Sequence, residues 1–364
     1  MTKVLMAGNE AIAAGAIRAG CRFYAGYPIT PQNELIAYLA KHMPQAKGVF
    51  IQAESEVSAI NMVFGAAAAG VRAMTSSSSP GISLKQEGIS YIAGAELPAV
   101  VVNIMRGGPG LGNISPSQAD YFQATRGGGH GGYRCIVLAP ACVQEAYDLM
   151  SLAFTLADRY RMPSLVLGDG MLGQMMEPVF FTEDRGQRTE DRKNLTSDIC
   201  LLTSEKKWAL TGCKGRKPNV IKSFYMKEGD LEKFNLSLQA KYKTIKAKEQ
   251  RYDSLFLEDA EIILVAYGTM ARIAKAVVTK LREGGKKAGL IRPITLWPFP
   301  EEIFTVIKRK GRRVKFLAVE MSYGQMVEDV KLAVGGKAPV DFLGRSGGGI
   351  PTEEEIMRSV MRLR

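Results

Sequence analysis

Cysteine is scarce and badly spaced for metal chemistry: Cys21, Cys135, Cys142, Cys200 and Cys213 are the only five, and no two are separated by two positions. Iron–sulfur ligands usually arrive as C-x2-C runs, so no cluster is expected on this chain. Histidine is scarcer still. His42 and His130 fall in neither an H-x3-H nor an H-E-x2-H pattern, which leaves zinc without a ligand set, and no metal site is expected. No apolar stretch of about 18 residues occurs and no basic, then apolar leader opens the chain, so neither a membrane span nor a signal peptide is expected. The expectation is a cytoplasmic protein. Internal repeats are absent, and the one low-complexity tract is Ser76-Ser77-Ser78-Ser79. Catalysis must come from carboxylates, hydroxyls, arginines and a borrowed cofactor.

What is present is an ordinary globular composition, 364 residues with 46% hydrophobic content, enough for about two domains with substantial cores. The formal charge of +12 is unevenly spread: residues 185–255 carry 17 Lys/Arg against 9 Asp/Glu. Such a segment can attract phosphate. No RNA-binding aromatic signature, zinc finger or helix-turn-helix pattern accompanies it, and a solvated surface that docks an acidic partner protein is preferred over nucleic-acid binding.

Along the first 170 residues helix and strand patterns alternate with short turns, the signature of a parallel sheet covered on both faces. Helices are expected over 10–19, 31–42, 56–69, 81–95 and 143–160, and strands over 22–27, 49–53, 72–76, 99–105, 134–138 and 164–167. The periodicity fades after Pro178 into a charged stretch, until a solvent-exposed helix over 233–252. A second α/β unit follows, with strands over 262–266, 288–296 and 315–319 and helices over 270–283 and 325–333. The division is thus 1–184, a basic connecting segment 185–258, and 259–364.

Three motifs stand at the ends of successive strands, where α/β sheets bind ligands: Gly26-Tyr27-Pro28-Ile29-Thr30-Pro31, Ala53-Glu54-Ser55-Glu56, and Ile104-Met105-Arg106-Gly107-Gly108-Pro109. They contribute a hydroxyl, a carboxylate and a guanidinium. Each has a plainer role as well. Glu56 sits in a helix first turn, where a carboxylate suits the macrodipole, with Glu54 as its neighbour; Thr30 can N-cap a helix that starts at Pro31; a strand-end arginine can simply be a surface ion pair. Ser78 and Ser79 lead into Pro80-Gly81 at a helix start whose free N–H groups favour an anion. The run Gly127-Gly128-Gly129-His130-Gly131-Gly132 reads as a mobile contact loop rather than as a setting for His130 as a base.

Together with Gly8-Asn9-Glu10-Ala11, Pro80-Gly81-Ile82-Ser83 and Leu172-Gly173-Gln174, these motifs resemble the pyrimidine-binding α subunit of the 2-oxoacid:ferredoxin oxidoreductases. The branched-chain (3-methyl-2-oxobutanoate) type is nearest and the 2-oxoglutarate type next. The resemblance implies an α/β fold: a parallel-sheet thiamine-diphosphate pyrimidine-type domain, then a smaller domain like the C-terminal domain of transketolase. It implies coenzyme A-dependent oxidative decarboxylation of a 2-oxoacid to acyl-CoA, CO2 and reduced ferredoxin. It makes Glu56 the catalytic carboxylate that hydrogen-bonds N1′ of the aminopyrimidine, and it assigns Thr30 and Arg106 to the substrate, Arg106 through its planar fork. Pro28, Ser78 and Ser79 border the cofactor. Thiamine diphosphate is shared with a β subunit, which with γ and ferredoxin-like δ subunits supplies Mg2+ and [4Fe-4S] clusters, and ferredoxin accepts the electrons in a hetero-oligomer.

Gly168-Asp169-Gly170 with Asn194 imitates the diphosphate-and-magnesium signature, but residues 177–185 lack the helix that would return the asparagine to a metal, so it is read as a decoy. Pyruvate or 2-oxoglutarate as substrate, a self-contained thiamine decarboxylase and a basic nucleic-acid-binding scaffold are the alternatives.

Overall fold

A computed structural model describes residues 3–181, 206–309 and 314–363. The chain opens with β1 (Lys3–Ala7), α1 (Gly8–Arg18), β2 (Phe23–Gly26), α2 (Asn33–His42), β3 (Val49–Gln52) and α3 (Glu56–Ala68). β4 (Ala73–Ser77), α4 (Pro80–Gly94), β5 (Ala99–Met105), α5 (Tyr121–Arg126), β6 (Ile136–Leu138), α6 (Val143–Tyr160), β7 (Pro163–Asp169), α7 (Gly170–Gln174) and β8 (Met176–Phe180) follow. Six of these strands form a parallel sheet in the order β6-β7-β5-β4-β2-β3. β4, β5, β6 and β7 are buried along their whole lengths, as strands covered on both faces must be. β1 and β8 pair antiparallel in a ribbon of their own.

The second part carries α8 (Asp230–Lys248), β9 (Tyr252–Leu255), β10 (Ile262–Val265), α9 (Gly268–Glu283), β11 (Ala288–Pro293), β12 (Thr295–Trp297), α10 (Glu301–Arg309), β13 (Lys315–Glu320), α11 (Met326–Val334), β14 (Val340–Gly344) and α12 (Glu353–Arg362). Its sheet runs β14-β13-β10-β11-β9, parallel except for β9 at the edge.

Several expected bounds shift for local reasons. The stretch 288–296 is two strands, because after Ile294 the chain leaves one sheet and β12 adds antiparallel to β6 of the other. The helix expected over 233–252 ends at Lys248, and Tyr252–Leu255 is the edge strand β9, so the second sheet begins inside the connecting segment. α8 is not wholly solvated: Leu238, Tyr242 and Ile245, spaced along one face, are buried. α2 starts at Asn33 with Gln32 as N-cap, two positions after Pro31.

The two α/β units are stitched together by buried side chains. Gln118 donates to Tyr267 O at 3.0 Å and accepts from Met321 N at 3.0 Å, while Tyr267 donates its hydroxyl to Gln118 O at 3.1 Å. Tyr121 donates to Asp329 at 2.6 Å, and Arg292 makes a two-pronged ion pair with Glu145 at 2.7 and 2.9 Å. Among the described residues no helix is long and apolar enough to cross a membrane.

Candidate active site

The three sequence motifs meet at the carboxyl edge of the first sheet. Glu56 is the first residue of α3, whose N-cap Ser55 accepts from Ser58 N at 3.1 Å. That cap fixes the helix start, and with it the height of the carboxylate. Glu56 is only 6% exposed. Glu54, by contrast, is exposed, and a hydrogen bond from the Ser58 hydroxyl holds its carboxyl below the usual carboxylate range.

α4 approaches Glu56 from the other side, and it can do so only because residue 81 is glycine. A Cβ there would stand 2.7 Å from Glu56 Oε1 and 2.1 Å from Ser77 Oγ. The serine run divides into distinct tasks. Ser76 Oγ bridges Tyr24 OH and Gln32 Oε1, each at 2.7 Å. The Ser77 and Ser78 hydroxyls are buried without a hydrogen-bond partner. Ser79 holds φ at +24°, a strained value for a side-chain-bearing residue. Its hydroxyl is committed internally: it donates to Asp120 Oδ2 at 2.6 Å and accepts from Arg106 N at 3.0 Å. Ser79 therefore orients Arg106 rather than offering a free hydroxyl to the pocket.

Asn103 also binds Asp120, donating at 2.9 Å, and receives Ser79 N at 3.0 Å. Burial pushes the Asp120 carboxyl upward, and the hydrogen bonds from Ser79 and Asn103 oppose it. Neither Asn103 nor Asp120 stands out in the sequence, because their role is to hold the serine turn against Arg106, a contact across the sheet edge. Arg106 itself is 7% exposed. Nη1 donates to Thr30 O at 2.9 Å and Nη2 to Leu111 O at 3.1 Å, while Nε is buried with no partner. The loop after it folds back tightly: Gly107 N donates to Ser115 O at 2.9 Å, and a Cβ on Gly112, at φ +62°, would strike Gly107 O at 1.7 Å.

Thr30 and Pro28 are exposed at the mouth. Thr30 does not N-cap α2; its hydroxyl accepts from Asn33 Nδ2 at 3.3 Å instead. The turn that carries it is clamped from below. Asn9 Nδ2 reaches Pro31 O at 2.7 Å and Glu34 Oε2 at 2.8 Å, and Gln174 Nε2 reaches the same two acceptors at 3.0 Å each. The Gly8-Asn9-Glu10 and Leu172-Gly173-Gln174 motifs thus act as buttresses of the Thr30 turn.

Asp169 is fully occupied elsewhere. Its Oδ1 accepts from Met171 N and Leu172 N at 3.0 Å each, and its Oδ2 accepts from Thr269 Oγ1 at 2.6 Å, so it caps α7 and ties it to α9. Burial raises its carboxyl. Asn194 lies outside the described residues, as does Cys200. Cys21 and Cys135 are buried, each thiol pushed up to about 12 by desolvation, Cys142 is half-buried and Cys213 exposed. His130 is exposed, and its carbonyl accepts from Ser90 Oγ at 2.7 Å.

A buried carboxylate and buried hydroxyls without partners fit the polar edge of a thiamine ring. Among the described residues no group of three His, Cys, Asp or Glu could hold a metal ion.

The chain is similar to several known proteins. The family described as pyruvate flavodoxin/ferredoxin oxidoreductase, thiamine-diphosphate-binding, matches residues 14–211, and pyruvate:ferredoxin oxidoreductase core domain II matches 260–356. The ketoisovalerate oxidoreductase subunit VorB of Methanothermobacter marburgensis is 48% identical over all of this chain and 98% of its own length. The 2-oxoglutarate synthase subunit KorA of Methanothermobacter thermautotrophicus is 37% identical over 98% of this chain and 97% of its own. Among solved structures, the 2-oxoglutarate:ferredoxin oxidoreductase of Magnetococcus marinus, with 2-oxoglutarate, coenzyme A and succinyl-CoA bound, superposes with TM-score 0.85 at 26% identity, over 99% of this chain and 65% of that one. A split-gene transketolase shares the fold alone, with TM-score 0.58 at 13% identity. The chain belongs to the 2-oxoacid:ferredoxin oxidoreductases and is of their α-subunit type.

Proposed function

We propose that this chain is the α subunit of a branched-chain 2-oxoacid:ferredoxin oxidoreductase, in which it holds the pyrimidine side of thiamine diphosphate and the carboxylate end of the substrate. The observation that carries this is the buried Glu56 carboxylate facing Gly81, with the unpartnered Ser77 hydroxyl beside it and the Arg106–Thr30 contact at the same strand edge. The branched-chain preference rests on the likeness to the ketoisovalerate subunits.

Thiamine diphosphate, when bound, supplies the nucleophilic carbon and the electron sink that decarboxylation of a 2-oxoacid needs. Glu56 serves the aminopyrimidine N1′, holding and returning a proton at its carboxylate. Arg106 keeps one N–H on each terminal nitrogen after binding Thr30 O and Leu111 O, and these together with Nε receive the substrate carboxylate. Thr30, at the exposed mouth, orients the keto end. Coenzyme A takes the acyl group, CO2 leaves, and the electrons pass to ferredoxin.

The diphosphate, magnesium and clusters belong to partner subunits. Support comes from the commitment of Asp169 to α7 and Thr269, and from the exposed apolar rim of the site: Tyr27, Val57, Leu84, Leu111 and Ile114. Such a rim marks a protein-contact face. The test is reconstitution. Alone, the chain should bind thiamine diphosphate weakly, contain no iron and fail to reduce viologen dyes with 2-oxoacid and coenzyme A; added β, γ and δ subunits should restore tight magnesium-dependent binding and activity, fastest with 3-methyl-2-oxobutanoate. Stoichiometric magnesium-dependent binding by the chain alone would return Asp169 to the metal and favour a self-contained decarboxylase.

A further inference from the structure

Lys85, in the second turn of α4, is fully buried. Its Nζ makes one hydrogen bond, at 3.4 Å to the main-chain oxygen of Glu56, and no ion pair is formed between the two side chains. A buried ammonium so poorly compensated is a burden on folding. Met or Leu would fill the same volume between α3 and α4 without that burden. The place of the charge is therefore informative: it lies directly behind the first turn of α3, on the residue whose carboxylate lies against Gly81.

We propose that Lys85 is a positioning residue for Glu56, its ammonium tying α4 to the first turn of α3 through the Glu56 carbonyl and so holding the Glu56 side chain in place. The proposal rests on the role given to Glu56 above. Among the groups packed around Lys85, α3 supplies Glu56, the one ionisable group whose charge acts on it. On α4 the next residue, Gln86, is neutral and accepts from Tyr133 OH at 3.1 Å. Tyr133 itself is pushed up beyond the working range by burial, so it stays neutral. Burial holds the Lys85 amine down, to about 8, against the opposing pull of Glu56, so at neutral pH it remains mostly charged. A charge in a dry setting acts over several ångströms with little screening. It acts on Glu56 without competing for the carboxylate oxygens, which stay available to a ligand.

The experiment compares Lys85→Met and Lys85→Arg with the parent in the full chain and in the reconstituted complex. The readouts are thiamine C2 proton exchange and the separate kcat and KM of the complex. The expected result is C2 exchange and kcat each lowered about tenfold in Lys85→Met, an unchanged KM for the 2-oxoacid, and values near the parent's in Lys85→Arg. In a Glu56→Gln background, Lys85→Met should add nothing. Parental exchange in Lys85→Met, or a fall in kcat with exchange unchanged, would overturn the proposal and leave Lys85 as packing. If Lys85→Met does not fold, the Arg variant decides: exchange lowered about tenfold despite the retained cationic donor rejects it. If Glu56→Gln leaves thiamine C2 proton exchange untouched, the role of Glu56 falls first; if exchange is lost but Lys85→Met shifts nothing, only the role of Lys85 falls.

Discussion

At the carboxyl edge of the first sheet the Ser77 and Ser78 hydroxyls and Arg106 Nε are buried with no partner, and Ser79 holds a strained backbone at φ +24°. In the second domain Glu320, equally buried, is saturated: its carboxylate accepts from Ser322 Oγ at 2.7 Å and from the backbone N–H groups of Gln325, Met326 and Val327 at 3.1 Å each. Both regions bury charge at the end of a parallel strand, next to a helix start. The difference is that α11 consumes the hydrogen-bonding capacity of Glu320, whereas α3 leaves that of Glu56 unspent. Unsatisfied buried groups are destabilising, so orphaned groups beside an uncommitted carboxylate suit the ligand site proposed above, whereas the saturated carboxylate is a structural joint.

The sharpest way to break this comparison is to neutralise each carboxylate. Glu56→Gln should leave the thermal midpoint of the chain nearly unchanged but lower kcat of the complex by about 10²–10⁴-fold, with thiamine C2 proton exchange abolished. Ordinary exchange would end the assignment. Glu320→Ala should do the reverse: about 3 kcal/mol of stability lost, read from denaturant unfolding, because buried main-chain donors lose a charged acceptor. The residual folded enzyme should keep its KM.

Arg106→Lys comes next in size. A lysine cannot reach Thr30 O and Leu111 O together while still meeting a carboxylate, so kcat/KM should fall about tenfold to a hundredfold. Normal kinetics with every 2-oxoacid tested would show that the guanidinium fork is structural only.

The smallest effect belongs to Asp169→Asn. Burial raises the Asp169 carboxyl, so the folded chain holds that proton to higher pH than the unfolded chain does. Its contribution therefore favours folding on the acid side and is lost as pH rises through the raised value. The Asn variant should lack this dependence, match the parent to within about 1 kcal/mol at neutral pH, and leave cofactor affinity of the complex intact. A collapse of magnesium-dependent affinity would restore Asp169 as a ligand.

The legible parts of the fold were those with strong local signals. The run 99–105 is a strand over the expected bounds, since Ala-Val-Val-Val-Asn-Ile-Met is a continuous buried stretch, and 143–160 is a helix over the expected bounds because its apolar period is regular. α12 was equally readable yet was not anticipated: Thr352 and Glu355 form a capping box, a signal visible as Thr-x-x-Glu. β9, the break at Ile294 and the crossing of β12 into the first sheet had no such signal. Edge pairing depends on which neighbour has a free edge, not on the strand's own residues.

For the site, the strand-end positions of the three motifs put Glu56, Thr30 and Arg106 at one edge, because a parallel sheet delivers the ends of neighbouring strands there, and the resemblance to the family suggested their roles. Those same letters could not say that the Ser79 hydroxyl is claimed by Asp120 and Arg106, that Asn9 and Gln174 converge on Pro31 O, or that Lys85 stands behind Glu56. Local propensity and hydrophobic period, which act over a few residues, determined the elements and the sheet edge at which the three motifs stand. Hydrogen-bond partners across 22 to 143 positions of sequence were decided only when packing brought them within about 3 Å, the distance over which such bonds act.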